Sequence, residues 1–223
     1  MDTLGRLAAM AALAGDELLM ERPFDSYEQT VTKLKSFPFV TNPWTNREMY
    51  YGFAAHQGES AIAIVQMLTQ GQAGLRYAGA NVAFRPLMTE RTEGSVVIRD
   101  FLWGTSRFDI NVKGLGTGLA RLRIDGTDIP SELVPATFHD GKRHQLELTP
   151  GSANGPQLRD LGLGAYRLDD ISLKDDTMKF NFTGFVGEPT KLELNTAGRK
   201  ISKARINGKS VKGDVKLQMQ QPE

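Results

Sequence analysis

The sequence predicts an α+β protein in which an N-terminal segment of about three helices precedes a mainly antiparallel β-sandwich. Up to about Gly71, apolar residues recur at the three-and-four spacing of helices. From Gly74 onward, short apolar runs have a period of two and are separated by Gly, Asn and Asp turns. No long helical pattern interrupts these runs, which favours antiparallel sheets over βαβ units.

The first two helices are predicted on either side of a proline. The Ala- and Leu-rich stretch Thr3–Met20 has good helix propensity and helical spacing. Pro23 should break it, because proline lacks an amide donor. Asp25 or Ser26 then resembles the cap of a second helix that runs to about Ser36.

A third helix is predicted from about His56 to Thr69. Its side chains are apolar on nearly every face, so we expect it to be enclosed. The segment between the second and third helices contains two prolines and many rings, which indicates a loop.

The remainder reads as strands. We predict them at Ala73–Tyr77, Val82–Arg85, Ser95–Leu102, Phe108–Lys113, Leu119–Ile124, Arg143–Leu148, Met178–Thr183, Lys191–Asn195, Ile201–Ile206 and Val215–Met219. The pairs Asp125-Gly126 and Asn207-Gly208 stand between strands and are typical of two-residue hairpin turns.

Part of the strand region is repeated. At a constant offset, Phe108–Gly114 aligns with Thr190–Thr196, and Leu119–Gly126 aligns with Ile201–Gly208. The two aligned units are either the two faces of one sandwich or two consecutive β domains. Alternatively, the similarity is a coincidence between hairpins of similar sequence. With a boundary at the linker Pro150–Pro156, the predicted organisation is a helical segment 1–72, a first β unit 73–150 and a second unit or half-sandwich 157–223.

Composition excludes several functions. A formal net charge of +1 gives no global field that would attract nucleic acid or an anionic membrane. Without cysteine there is no disulfide or thiolate chemistry, and 3 histidines leave little for a zinc cluster, so we expect no metal and no cofactor. The apolar stretch Leu7–Leu19 contains Asp16 and Glu17, so no membrane span or signal peptide is expected, which favours the cytoplasm.

One ordered set of segments resembles a known family. The stretch Met49–Ser60 is followed by Met67–Gly71, Ala73–Leu75 and Val82–Pro86. This order resembles the C-terminal end of (α/α)6-barrel glycoside hydrolases of the α-L-rhamnosidase-like and glycogen-debranching-like groups. The resemblance spans Tyr27–Leu148 and is weaker in the last third. It implies that the helices are an incomplete part of an α/α barrel, followed by an appended β-sandwich.

The length of the helical segment limits what the resemblance implies. Twelve helices of about 11 residues with connections of about 5 need on the order of 190 residues, whereas only residues 1–72 precede the strands. We therefore expect the C-terminal region or a subunit of a glycoside hydrolase, incomplete alone. Leu4, Leu7, Met10 and Leu13 should then be exposed, and the face Leu4–Met20 should bind a helical partner chain or a second copy.

The resemblance also implies catalytic candidates. Glycosidic hydrolysis needs two carboxyl groups, one acid and one base or nucleophile. In the resembling enzymes the base is a glutamate late in the barrel, which implies Glu48 or Glu59, with His56 beside them. The alternatives are structural. Glu59 binds helix amides, Glu48 is a surface charge paired with Arg47 or a lysine, and His56 is a helix cap or a hydrogen-bonded interior histidine.

Aromatic residues in the predicted loop suggest a sugar site, since flat rings pack on the C–H faces of sugars. The candidates for binding an oligosaccharide or glycoside are Trp44, Tyr50, Tyr51, Gln57 and Arg47. The alternative is that the loop rings, which include Phe37, Phe39 and Phe53, join the helix ends to the sandwich. Trp103 is a further ligand candidate, and His139 and His144 are interpreted as surface residues.

Three functions remain open at this stage: part of a carbohydrate-processing enzyme, a noncatalytic carbohydrate-binding sandwich, or a structural interaction module.

Overall fold

The computed structural model describes residues 2–34, 63–78, 80–160, 166–184, 189–190, 192–211 and 217–218. Within them the chain has an N-terminal helical part and a larger part of mostly antiparallel strands, which confirms the predicted α+β class. The ring-rich loop and the beginning of the third predicted helix lie outside the described residues.

The first two helices meet at a glycine, not at the proline. Helix α1 spans Asp2–Ala14 and helix α2 spans Glu17–Leu34. Gly15 ends α1 with φ +68°, and Asp16 caps α2 by accepting the Leu19 amide at 2.9 Å. The predicted single helix over Thr3–Met20 is therefore wrong at this junction.

Pro23 lies inside α2, so the predicted break there is also wrong. A proline inside a helix costs about 3 kcal/mol. Here the helix continues and buries Met20, Phe24 and Tyr27 in one apolar cluster. Burial of each large apolar side chain contributes about 1.5–3 kcal/mol, which offsets the cost of the proline.

The third helix, α3, is described over 63–72, and its last part, Met67–Gln72, is a π-helix. Ala63 and Met67 are buried, but Val65 is 54% exposed, so the expected complete enclosure is wrong on that side. Gly74 then turns the chain at φ +63°, where a Cβ would lie 1.9 Å from the Arg85 carbonyl oxygen. Only glycine fits this turn.

Seventeen strands follow within the described residues. Their bounds are β1 Leu75–Ala78, β2 Asn81–Phe84, β3 Leu87–Met88, β4 Ser95–Trp103, β5 Ser106–Lys113, β6 Gly116–Thr117, β7 Leu119–Ile124, β8 Thr127–Ile129, β9 Arg143–Pro150, β10 Gln157–Asp160, β11 Tyr166–Lys174, β12 Thr177–Gly184, β13 Pro189–Thr190, β14 Leu192–Asn195, β15 Ala204–Ile206, β16 Lys209–Val211 and β17 Leu217–Gln218. Each predicted strand overlaps an observed one. The longest strand that was not predicted is β11.

The largest sheet has the order β4-β5-β9-β7-β8. All its pairs are antiparallel except β5 with β9, which is parallel from Arg107↔Arg143 to Val112↔Leu148. The large sheet therefore contains a parallel pair that the sequence pattern did not predict. Along β5, successive side chains point alternately to the inner and the outer face of the sheet, and Phe108, Ile110 and Val112 are buried on the inner face.

An extended segment, 130–134, links smaller pieces into a second layer. The Phe84 amide donates to the Glu132 carbonyl, and the Glu132 amide donates to the Leu158 carbonyl, both at 2.9 Å. The Leu158 amide in turn donates to the Pro130 carbonyl at 2.9 Å. With β1 paired to β2 and β10 paired to β14, the order across this layer is β1, β2, segment 130–134, β10, β14.

The two layers enclose the main core, which includes Phe84, Leu133 and Leu158 from the second layer and Phe108 and Ile124 from the large sheet. Leu158 follows the predicted linker, so chain on both sides of that linker contributes to one core. The predicted boundary at 150–156 stays a prediction.

A two-stranded ribbon, β11–β12, is fixed to this core by Asn81. The Asn81 side chain is fully buried, and its Nδ2 donates to the Tyr166 carbonyl at 2.7 Å. Its Oδ1 accepts the Leu168 amide at 2.7 Å. The Asn81 side chain thus bonds a backbone carbonyl and a backbone amide of β11, in place of the backbone pairing that would join two neighbouring strands.

The two predicted hairpin turns have the same geometry. Ile124 pairs with Thr127 around Asp125-Gly126, and Ile206 pairs with Lys209 around Asn207-Gly208. Both residues of each turn have positive φ, between 47° and 80°. This is the two-residue turn that the Asx-Gly sequences predict.

Candidate functional site

The residues predicted to bind or cleave a sugar fall within 35–62, outside the described residues. They are Arg47, Glu48, His56 and Glu59, together with Trp44, Tyr50, Tyr51 and Gln57. Their roles stay predictions.

A cavity of about 460 Å³ lies between helices α2 and α3. Its apolar wall combines the rings of Phe24 and Tyr27 with Ile64 and Leu68. Its polar residues are Glu28, Thr32 and Arg91. The cavity is open to solvent, and its lining places apolar side chains beside a few polar groups.

Arg91 controls the charge at the cavity. It lies in the turn after β3, and its guanidinium bonds Glu21 and Glu28 at 2.7 Å each and also contacts Asp25. Three carboxylates of α2 therefore surround one cation, and the rim is acidic. The same contacts fasten α2 to the β part of the chain.

Packing of the helices buries most of Tyr27 in the wall of the cavity. Tyr27 is 8% exposed, and burial raises the pKa of its phenol above the ordinary value of 10.0. The phenol therefore stays protonated and can donate a hydrogen bond. The lining carboxylate, Glu28, is bonded to Arg91 at 2.7 Å. The phenol and this ion pair are groups that can exchange hydrogen bonds with a polar ligand.

A second cluster surrounds a buried carboxylate. Glu132 is 1% exposed, and its Oε2 bonds Arg85 at 3.0 Å and Arg76 at 3.2 Å. Its Oε1 lies 3.5 Å from Arg159, which also approaches Glu193. These groups come from β1, the end of β2, segment 130–134, β10 and β14. The cluster therefore holds the second layer together from one face.

A third polar cluster corrects the interpretation of His144 as a surface residue. His144 is 5% exposed on β9. Its Nδ1 lies 2.7 Å from Asp125 Oδ2, and its Nε2 lies 2.9 Å from Asp140 Oδ1. The register of β7 and β9 brings Asp125 to His144, whereas Asp140 lies only four residues before His144 in the chain.

The further ligand candidate, Trp103, ends β4 and is half-buried. Its ring centroid lies 3.6 Å from that of His139, edge to face, and 6.0 Å from that of Phe108. Burial lowers the pKa of His139, which favours the neutral ring. His139 is thus half-buried against Trp103, and the surface interpretation is wrong for it as well.

Sequence reasoning missed Phe24, Tyr27 and Arg91 as a group. Two of them stand three apart on one helix, which could have indicated a shared face. Arg91 lies far along the chain in a strand-rich region, and only the packing of β3 against α3 brings it to α2.

Comparison with protein-family models and with curated protein sequences finds no match to this chain. The resemblance to (α/α)6-barrel glycoside hydrolases therefore rests on the order of segments in the sequence. Among the described helices, none combines the length and apolar character that crossing a membrane requires.

Proposed function

We propose that this chain is the C-terminal region or a subunit of a glycoside hydrolase-like, carbohydrate-active protein, and that its helical part contributes a saccharide site. The observation that carries the proposal is the cavity between α2 and α3, where Phe24 and Tyr27 stand beside Glu28, Thr32 and Arg91. Apolar side chains at the wall can contact the C–H groups of a sugar, and the polar groups can bond its hydroxyls.

The proposal assigns binding, not complete catalysis, to this chain. Cleavage of a glycosidic bond needs two carboxyl groups that can reach the bond from its two sides. At the cavity, Glu21 and Glu28 are each bonded to Arg91 at 2.7 Å. In the proposal the catalytic carboxylates are Glu48 or Glu59 together with an acid on a partner chain.

An exposed apolar surface supports a partner. Met10 and Leu13 of α1 are 62% and 53% exposed, and Leu18 of α2 is 80% exposed. Leu4 and Leu7, also expected to be exposed, are half-buried. The same surface favours the alternative function, a structural interaction module that binds no sugar.

A substitution that fills the cavity tests whether it is the saccharide site. Thr32→Trp places a large ring in the cavity from an exposed position, so the core residues stay unchanged. We expect titration calorimetry with oligosaccharides chosen from a glycan panel to show at least about a 10-fold loss of affinity, equal to about 1.4 kcal/mol.

Arg22→Trp is the matched control, because Arg22 is exposed on the same helix and does not line the cavity. It should bind like the wild type. Equal binding by the wild type and Thr32→Trp would place the site elsewhere. If the panel gives no ligand at all, the interaction-module function replaces the proposal.

A further inference from the structure

Each ring nitrogen of His144 faces a carboxylate, and this arrangement favours a proton on both nitrogens. Asp125 and Asp140 accept at 2.7 and 2.9 Å from opposite sides of the ring. The ring faces are covered by Phe108 and Phe138, with centroids at 5.4 and 5.3 Å. Only imidazolium donates from both nitrogens; a neutral ring would direct one lone pair at a carboxylate.

The charges around the ring favour imidazolium. Among the described residues, the charged groups that face it are Asp125, on the turn after β7, and Asp140, with Lys142 behind Asp140 at 2.9 Å. Burial by itself lowers the pKa of His144. Its two carboxylate partners outweigh this and raise the pKa above the ordinary 6.5.

Asp125 and Asp140 differ in their other hydrogen-bond partners. Asp125 accepts the backbone amide of Gln145, on β9 itself, at 2.8 Å. Asp140 bonds the amide and the ammonium of Lys142, both within its own turn. When the proton leaves, the ring keeps one donor. We expect this donor to stay on Asp125, whose other bond is to β9, and Asp140 to keep only its bonds to Lys142.

We propose that His144 is a proton-operated latch that holds segment 136–142 on the large sheet while the imidazole is protonated and releases it when the proton leaves. The segment carries Phe138 and His139, and the His139 ring lies against Trp103. Opening the latch therefore changes the surface around Trp103.

The direction of the pH dependence follows from the raised pKa. A histidine whose pKa is higher in the folded state stabilises that state fully below its unfolded-state pKa, near 6.5. The stabilisation is lost as the pH rises through the folded-state pKa. Segment 136–142 should therefore be closed at acidic pH and loosen at alkaline pH.

Hydrogen exchange of a single backbone amide, that of Gly141, tests the latch. The Gly141 amide donates to Ser106 Oγ at 2.9 Å, across the boundary that would open. In the wild type, the protection factor of Gly141, corrected for intrinsic exchange, should fall about 10-fold as the pH passes the midpoint of the His144 ring titration observed by NMR. A protection factor that stays constant through this titration would overturn the proposal.

A variant separates the latch from general alkaline destabilisation. In Asp140→Asn, the side-chain amide can donate to the neutral imidazole, so Gly141 should keep its protection at alkaline pH and the His144 titration should move to lower pH. Asp128→Asn, on the β7–β8 hairpin and bonded to Arg121, is the control and should behave like the wild type. If Asp140→Asn shows the wild-type pH dependence, His144 does not operate the segment.

Discussion

At the scale of the residue, buried polar groups should contribute more to the stability of this chain than its exposed charges do. Glu132, Asn81 and His144 are nearly inaccessible, and each joins segments that are distant in sequence. On the outer face of the large sheet, by contrast, ion pairs such as Arg123–Glu147 are open to water. Exposed pairs contribute about 0–1 kcal/mol, whereas an unpaired buried charge costs several.

Glu132 should therefore be sensitive to loss of its charge. Glu132→Gln keeps the shape of the side chain but leaves the guanidinium groups of Arg76, Arg85 and Arg159 without their shared carboxylate. We expect a loss of about 3 kcal/mol in the free energy of unfolding, measured by urea denaturation.

Glu147→Gln removes a carboxylate of the same type from an exposed pair, and it should change the free energy of unfolding by less than about 1 kcal/mol. Similar effects of the two substitutions would show that the Glu132 cluster is no more important than a surface ion pair.

At the scale of the element, the attachment of ribbon β11–β12 depends on one side chain. Asn81→Ala removes the two buried hydrogen bonds that the Asn81 side chain makes to the Tyr166 carbonyl and the Leu168 amide. Each lost buried bond costs about 1–3 kcal/mol, so we expect a loss of about 2–6 kcal/mol in urea denaturation.

Asn111 offers a matched control, because it is exposed on β5. Asn111→Ala should lie within about 0.5 kcal/mol of the wild type. The Leu168 amide should also exchange faster in Asn81→Ala than in Asn111→Ala. Unchanged exchange at Leu168 would contradict the role of Asn81 as the attachment.

The elements themselves were largely predictable where local chemistry decides them. Period-two patterns located β4, β5 and β7, and the Asx-Gly pairs located both hairpin turns. Pro23 misled the prediction, because its local cost is outweighed by burial of Phe24 and Tyr27 against α3. Gly15 was the true helix end, and its position before Asp16 was an available signal.

At the scale of the whole molecule, helices and sandwich share apolar contacts. Leu87 of β3 belongs to the helical cluster, and Leu68 of α3 packs against both clusters. Gln72 and Thr89 exchange two hydrogen bonds of 3.0 Å across the same junction. The exposed Met10, Leu13 and Leu18 lie on the helices and not in this junction.

The exposed surface predicts association. In sedimentation velocity we expect the weight-average mass of the wild type to rise with protein concentration, because apolar surface is buried between copies. Leu13→Glu combined with Leu18→Glu should abolish the rise.

Leu102→Glu introduces the same charge at a leucine that is 57% exposed on β4, and it should leave the association unchanged. A wild type that stays monomeric at every concentration would exclude self-association and leave a separate helical chain as the proposed partner.

The sequence by itself determined the α+β class, the approximate strands and the turns, because these depend on periodicity and on the backbone freedom of glycine and asparagine. It pointed to a sugar site on residues 35–62, which stays a prediction. Only the tertiary structure decided the parallel pairing of β5 with β9, the cavity beside Arg91 and the contact of buried His144 with Asp125. The physical reason is that each of these joins groups distant in the chain, and no local pattern records which distant partners will meet.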